Sequence, residues 1–321
     1  MRERAGCPVG NRYVRNEVVL VIQRRHLRLS LLIFCVLLAA GCQRESLRGA
    51  IPNEQAAKQM GIALADSESG SSTVEQYKVQ ERSGWGTLKG RIRVVGDVPP
   101  NRPLNINKDQ AVCQPGGAVV RAETVEVDSA TGGIANVLFY ALDLRGEDVH
   151  EDAKGGKTDK IFYDQKVCRY RSHVLPVLST QTLEVKNSDS VSHNTQIQAK
   201  RARSVNENIP PGSSISYTPG KEEKEPISVS CAVHPWMKAY LLPRDNGYFA
   251  KTGKDGTFEI ANLPAGIDLS LQAWQEKLGK NFKNIKVNGE TITWKRGRIP
   301  LKLKPNETVM LDVEIPAAAV Q

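Results

Sequence analysis

Several patterns that mark common functional classes are missing from this sequence of 321 residues. There is no Cys-x-x-Cys-His motif, which excludes a built-in c-type haem, and no Gly-x-Ser-x-Gly motif of a nucleophilic hydrolase. Long blocks of Lys and Arg are also missing, so nucleic-acid binding is not indicated even though the formal net charge is +9. The most apolar run, residues 31–38, is too short for a transmembrane helix.

That apolar run belongs to an N-terminal leader. Arginines precede it within residues 24–28, and Ala39-Ala40-Gly41-Cys42 follows it, so residues 1–42 are predicted to be an export signal. The small residues before Cys42 resemble a bacterial lipobox, with Ala39 where Leu is commoner. This resemblance implies a lipoprotein signal peptide, lipid on Cys42 and a location in the bacterial cell envelope, facing the periplasm or the exterior. An ordinary signal peptide, and a translation start downstream of Met1, are the alternatives.

Removing the leader changes the charge of the chain. Residues 1–42 carry seven Arg and two acidic residues, a net +5 of the total +9, which leaves about +4 for the remainder. The next stretch, residues 43–84, is polar and rich in Ser, with too little apolar surface to offset the entropy of ordering it. We expect a flexible linker there.

From Trp85 onward the sequence predicts an all-β fold. Short segments of alternating apolar and polar residues are separated by turn residues, which is typical of β-sandwiches. The predicted strands lie at 88–96, 134–142, 161–164, 173–178, 181–187, 193–199, 214–218, 226–232 and 238–243.

After Asp245 the turns become tighter, as in Lys254-Asp255-Gly256 and Asn262-Leu263-Pro264. Residues 245–321 resemble the prealbumin-like sandwich of carboxypeptidase-regulatory modules, in which these positions turn and pack. Residues 85–244 are then predicted to form the other sandwich. Residues 85–143 could instead belong to the second module, with the first sandwich inserted between its halves, and the sequence does not decide between these arrangements.

Three potential metal-ligating side chains lie close together in the stretch Cys231-Ala232-Val233-His234-Pro235-Trp236-Met237. A further imidazole is present at His193. Ile227, Val229 and Cys231 alternate with two serines, so the thiol should point inward at the end of a strand. Pro235 stiffens the loop that follows. Two His, one Cys and a weakly bound Met are the ligands of a blue-copper site, whereas structural zinc prefers four Cys or His ligands.

The order His-Asn followed by Cys-x-x-His-Pro-x-Met resembles the copper motif of the cupredoxins, and it is closest to that of amicyanin. The resemblance implies a Greek-key β-sandwich that holds one type 1 copper through His193, Cys231, His234 and Met237. It further implies that Asn194, after the first His, supports the thiolate. Between Trp85 and Leu301 the chain also resembles exported proteins described as methylamine-utilisation-like, whose role is poorly defined.

Two further cysteines remain after the leader, the lipid site and the ligand are assigned. Export to an oxidising compartment favours a disulfide between Cys113 and Cys168, and the alternative is a pair of free thiols.

These features predict a membrane-tethered electron carrier that exchanges single electrons with a redox protein of the envelope, and not an enzyme. His234 and Trp236 are expected at the rim of the site, where a partner would dock. The alternative is a non-redox envelope lipoprotein whose sandwiches bind protein or glycan. A copper enzyme or a copper-delivery protein is disfavoured, because no second His cluster and no Met-rich tract are present.

Overall fold

The structure is a computed structural model, and it describes residues 80–157 and 159–321. The predicted leader, the lipid site Cys42 and the predicted linker up to residue 79 lie outside the described residues. Gln80, the first described residue, already contacts the body of the protein, because its side-chain amide donates to Asp268 Oδ2 at 2.7 Å. No helix among the described residues has the length and apolar character needed to cross a membrane.

The described chain is almost entirely β-structure, as the alternating pattern predicted. One short α-helix, α1, spans Gln110–Cys113, and short 3-10 turns lie at Pro115–Gly117, Gly146–Asp148, Glu151–Ala153, Lys295–Gly297 and Ala317–Ala319. The strands are β1 Gly84–Val95, β2 Leu138–Ala141, β3 Lys160–Gln165, β4 Val174–Leu178, β5 Thr182–Asn187, β6 His193–Ile197, β7 Val205–Ile209, β8 Ser214–Tyr217, β9 Ile227–Ser230, β10 Lys238–Arg244, β11 Phe249–Lys251, β12 Thr257–Ala265, β13 Asp268–Trp274, β14 Phe282–Val287, β15 Glu290–Trp294, β16 Arg298–Lys302 and β17 Thr308–Pro316.

Two pairs of sheets form two sandwiches. The inner sandwich packs the sheet β4-β10-β9-β6-β7 against the sheet β3-β5-β8, around a core that includes Tyr163, Leu183 and Val229. The outer sandwich packs the sheet β12-β1-β17-β14-β15 against the sheet β11-β2-β13-β16, around Phe139 and Phe258. Apolar residues face these cores at every second position along most strands. This is why the alternating pattern in the sequence predicts these strands.

Strand pairing shows that the inner sandwich, β3–β10, lies between two halves of the outer sandwich in the chain. β1 pairs antiparallel with β12 and parallel with β17, and β2 pairs with β11 and β13. The first two strands therefore belong to the same sheets as the C-terminal strands, which is one of the two arrangements that the sequence left open.

Among the described strands up to β10, β7 is the one that was not predicted from the sequence, and β2 is shorter than predicted. β7 carries the exposed polar residues Asn206, Glu207 and Asn208 and lies at the edge of its sheet, so it lacks the apolar alternation that marks a strand. Of the predicted segment 134–142, only Leu138–Ala141 forms β2, because Asn136 takes a left-handed φ of 63° just before it.

The connection between β1 and β2, residues 96–137, packs on both sandwiches. Ile106 and Cys113 are buried in the inner core, whereas Val125 is buried in the outer core. A disulfide joins Cys113 to Cys168 of the inner sandwich, which is the pairing expected from the sequence. A connection between two outer strands is therefore bonded covalently to the inner sandwich.

The two sandwiches share a small apolar interface. Leu138 and Tyr140 on β2 pack against Val174 on β4 and Leu242 on β10, and all four are fully buried. β10 therefore buries both faces, with Leu241 in the inner core and Leu242 toward the outer sandwich.

Leu242→Ala should lower the free energy of unfolding by about 2–5 kcal/mol, because it leaves a cavity in this interface. Urea denaturation measures the change. Val119→Ala is the control, since Val119 is 64% exposed and its truncation should cost no more than about 0.5 kcal/mol. Equal effects of the two substitutions would contradict a packed interface.

Candidate metal centre

The candidate centre is built on two neighbouring strands of one sheet. β6 begins at His193 and pairs antiparallel with β9, with Ile197 opposite Val229. Cys231 directly follows β9 and is buried, so it continues the inward face of Val229 as the alternation predicted. The N–H of Asn194, the residue after His193, donates to Cys231 Sγ at 3.2 Å. This hydrogen bond fixes the start of β6 beside the end of β9.

The loop from Cys231 to Met237 closes on itself. The Cys231 N–H donates to the Met237 carbonyl oxygen at 3.3 Å, and the Met237 N–H donates to the His234 carbonyl oxygen at 2.9 Å. Pro235 is exposed at the turn, whereas Met237 is buried in the same core cluster as Cys231. The closed loop folds His234 back over the end of β9.

Three potential ligand atoms converge at this point. His193 Nδ1 lies 3.0 Å from His234 Nδ1, and Cys231 Sγ lies 3.9 Å from His234 Nδ1. The ligand atoms of these three residues all lie within 4.8 Å of one another. Both imidazoles are fully buried and the thiol is 2% exposed, so water is largely excluded from the centre.

A carboxylate holds the far nitrogen of each imidazole. His193 Nε2 contacts Asp189 Oδ2 at 2.8 Å, and His234 Nε2 contacts Asp109 Oδ2 at 2.8 Å. A carboxylate accepts the proton on Nε2, so it directs Nδ1 of the same ring toward a metal. Both histidines are therefore held with their donor atoms toward the shared point.

Asn194 connects the thiol to the edge of the sheet. Its main-chain N–H donates to Cys231 Sγ, while its side-chain oxygen accepts from the Ala232 N–H at 3.3 Å. Its side-chain amide donates to the Oδ1 atoms of Asn206 at 2.9 Å and Asn208 at 3.3 Å. The contact with sulfur that the cupredoxin resemblance implied is present, and the main chain makes it.

The electrostatics of the centre favour a thiolate. Burial alone would raise the pKa of the Cys231 thiol, but hydrogen bonds from His193 and from the Asn194 N–H outweigh burial and lower it. Burial likewise opposes charge on His193, yet its hydrogen bonds to Asp189 and Cys231 raise its pKa to about 9. Burial lowers the pKa of His234, and Asp109 compensates only in part. Both shifts favour the charged forms of Cys231 and His193 over the neutral ones.

The surroundings of His234 differ from the expectation that placed it at the rim. That expectation was wrong, because the segment that carries Asp109 covers His234 and leaves it fully buried. Trp236 is half-buried, with its ring centroid 5.1 Å from that of His234. Of the two residues expected at the rim, Trp236 is the more exposed.

The two carboxylates of the centre were not recognised from the sequence. Asp189 lies four residues before His193, but no helix or other regular pattern links the two. Asp109 is 125 residues from His234, so their contact depends on the tertiary fold. No local signal in the sequence marks either aspartate as a site residue.

Comparisons with known proteins give fold-level similarities only. No family model matches the chain, and no curated protein matches it. Among solved structures, a purple cupredoxin from Nitrosopumilus maritimus is 19% identical with a TM-score of 0.22, over 27% of this chain and 99% of that protein. A Cu(I) form of an amicyanin mutant is 14% identical with a TM-score of 0.24, over 33% of this chain and 98% of that protein.

A copper-containing nitrite reductase from Thermus scotoductus SA-01 is also similar, at 16% identity with a TM-score of 0.26. The match covers 32% of this chain and 27% of the reductase, so the chain spans about a quarter of that enzyme's length.

Asn194→Ala should lower the free energy of unfolding by about 1–3 kcal/mol, because it removes the side-chain hydrogen bonds that join β6 to β7 and to the ligand loop. Titration of the thiolate absorbance should still show a lowered pKa for Cys231, since the main-chain N–H remains. Asn206→Ala is the control, because it is exposed and leaves Asn208 as a partner, and it should cost about 0.5 kcal/mol or less. A Cys231 pKa that returns to its ordinary value in Asn194→Ala would contradict this assignment.

Proposed function

We propose that the protein binds one copper ion and carries single electrons. His193, Cys231 and His234 would hold the ion, and Met237 would be a fourth, weakly bound ligand. The observation that supports this most is the convergence of two imidazole Nδ1 atoms and one thiol sulfur in a buried site. Two nitrogens and a thiolate are a ligand set that suits copper in electron-transfer sites.

The donor atoms are spaced to share one ion. Nitrogen ligands lie about 2.0–2.1 Å from a bound ion and thiolates about 2.3 Å, which allows the observed 3.0 Å and 3.9 Å separations. The lowered pKa of Cys231 favours the thiolate, which is the form that binds metal. His193 has to release the proton on Nδ1 when metal binds, since metals take the neutral imidazole. The residues therefore fit a copper ion.

Copper, when bound, supplies a one-electron couple between Cu(I) and Cu(II). The chain's part is to keep the ligands from moving between the two states. The imidazoles are held by carboxylates, the sulfur is held by the Asn194 N–H, and the loop is closed by its own main-chain hydrogen bonds. A cage this constrained suits a carrier, because small movements of the ligands keep electron transfer fast.

We propose that a partner docks beside Trp236. Its half-buried ring lies next to His234, and it lines a cleft together with Arg102, Arg121 and Lys238, which are exposed. Glu123 and Glu276 also line this cleft, but both are partly buried, so the exposed rim is basic and fits an acidic surface. The partner class is a redox protein of the cell envelope.

The alternative is a non-redox envelope lipoprotein that binds protein or glycan, and one observation favours it. The outer sandwich carries an open cleft of about 740 Å³, which is lined by polar and charged residues that include Asp97, Asn101, Glu126 and Lys254. This cleft lies among residues that take no part in the metal centre.

Titration of the purified protein with Cu(II) should give intense blue or green absorption at one copper per chain, because thiolate-to-copper charge transfer is strong. Cys231→Ser should abolish the colour, since no other ligand supplies that transition. Met237→Leu should keep copper and colour but change the reduction potential, because a thioether would bind copper weakly and tune its potential.

Met310→Leu is the matched control for Met237→Leu. Met310 is 59% exposed on β17 of the outer sandwich, so its replacement should leave both the colour and the potential unchanged. Wild-type protein that stays colourless and takes up no copper tightly would contradict the copper proposal. The binding function of the outer sandwich would then be preferred.

We propose further that lipid on Cys42 tethers the protein to the membrane. Cys42→Ser should move the protein from the membrane fraction to the soluble fraction, because the small residues before Cys42 direct its modification. Fractionation and mass spectrometry of the N-terminal peptide measure this. Unchanged partitioning of the variant, with no lipid on the wild-type peptide, would exclude the tether.

A further inference from the structure

A disulfide links the two segments that position the carboxylates bound to the imidazoles of His234 and His193. The carboxylate of Asp109 holds His234, and that of Asp189 holds His193. Asp109 is the residue directly before α1, which ends at Cys113, and Cys113 is bonded to Cys168. Each half of the disulfide is therefore linked through main-chain contacts to one of the two carboxylates.

On one side, α1 holds Asp109 in place. The Asp109 carbonyl oxygen accepts from the Val112 N–H at 3.0 Å and from the Cys113 N–H at 2.9 Å. Asp109 itself has φ 48° and ψ 39°, a left-handed conformation that costs a non-glycine residue free energy. The surrounding contacts therefore have to maintain it, and the disulfide fixes the end of the helix that provides them.

On the other side, the segment around Cys168 holds Asp189. The Cys168 N–H donates to Asp189 Oδ2 at 2.8 Å, and the Val167 N–H donates to Asp189 Oδ1 at 2.7 Å. Val167 and Cys168 both have positive φ values, 54° and 48°. These two donors orient the carboxylate toward His193.

The disulfide also lies against the centre itself. The sulfur atoms of Cys113 and Cys168 lie within 4.8 Å of a ring nitrogen of His234, and the Cys168 sulfur lies within 4.8 Å of potential ligand atoms of His193 and Asp189. The bridge is fully buried at both ends. Its position distinguishes it from a cross-link that only closes a remote loop.

We infer that Asp109 is a positioning residue of the metal centre, supplied by the connection between two outer strands, and that the Cys113–Cys168 disulfide clamps Asp109 and Asp189 onto their imidazoles. The tests of this inference by reduction potential and copper affinity rest on the proposed copper function. A carboxylate on Nε2 makes the imidazole a stronger donor and adds negative charge, so it favours Cu(II) over Cu(I).

Asp109→Asn tests the positioning role, because it keeps the size of the side chain and removes its charge. The relative preference for Cu(I) should rise by about tenfold, which is an increase of about 59 mV in the reduction potential. Asp109→Ala should lower the affinity for copper by about 10–100-fold, as is usual when such a support is lost. Asp109→Glu should recover part of the lost affinity.

Asp143→Asn is the matched control. It removes the same charge from an exposed residue that follows β2 and that has a similar left-handed φ of 50°. Its potential and copper affinity should equal those of the wild type. A potential of Asp109→Asn that matches the control would overturn the positioning role.

The clamp is tested on the metal-free, full-length protein, so that its outcome does not depend on copper. A phosphine reduces the disulfide to two thiols and becomes a phosphine oxide, with water supplying the oxygen and the protons. The Nε2–H signals of His193 and His234 should be slow to exchange in the NMR spectrum before reduction and faster by about tenfold or more afterwards. Exchange that is unchanged by reduction would overturn the clamp.

The two kinds of failure are distinguishable. Wild-type protein that binds no copper contradicts the proposed function, while the exchange measurement still decides whether the disulfide holds the two imidazoles. If copper binds and Asp109→Asn behaves as the control does, the proposed function stands and the positioning inference is wrong.

Discussion

The antiparallel pairing of β2 with β11 is the constraint on which the arrangement of the chain depends. β2 is the last strand of the outer sandwich before the inner one begins, and β11 is the first strand after it. Because Tyr140 lies opposite Phe249, the chain leaves and re-enters the outer sheet at adjacent positions. A domain whose two chain ends lie side by side can be inserted into another domain without disrupting the sheets of that domain. The inner sandwich is therefore held at both ends of its chain by one sheet, and Ile106 and Cys113 of the preceding connection complete its core.

The candidate metal centre depends on both sandwiches. His193, Cys231 and His234 come from the inner sandwich, but the carboxylate on His234 comes from the connection between two strands of the outer one. A buried imidazole with an unsatisfied Nε2–H would cost free energy, and Asp109 satisfies it while excluding water. The buried interface around Leu242 holds β2, the strand that follows this connection, against the inner sandwich.

The sequence predicted the all-β fold and the three residues that converge, His193, Cys231 and His234. The fold and the positions of Cys231 and His234 follow local rules, whereas His193 was assigned from the cupredoxin resemblance. Alternation in Ile227–Ser230 places Cys231 inward, and the short loop after it leaves His234 little room to lie elsewhere. The sequence did not reveal Asp109, because its partner is far along the chain and its approach depends on packing between the two sandwiches. The burial of His234 was missed for the same reason. β7 was missed because it is an exposed edge strand, so its sequence lacks the alternation of apolar and polar residues that predicts a strand.

The parallel pairing of β1 with β17 has a consequence for the order of assembly. β1 is made early, and its neighbour in the sheet is the last strand of the described chain. All strands of the inner sandwich are complete before β17 exists, so its core can form while the outer one still waits for its central partner. The outer sandwich can therefore close after the inner sandwich has formed. Asp109, which covers His234, is synthesised before His234 itself.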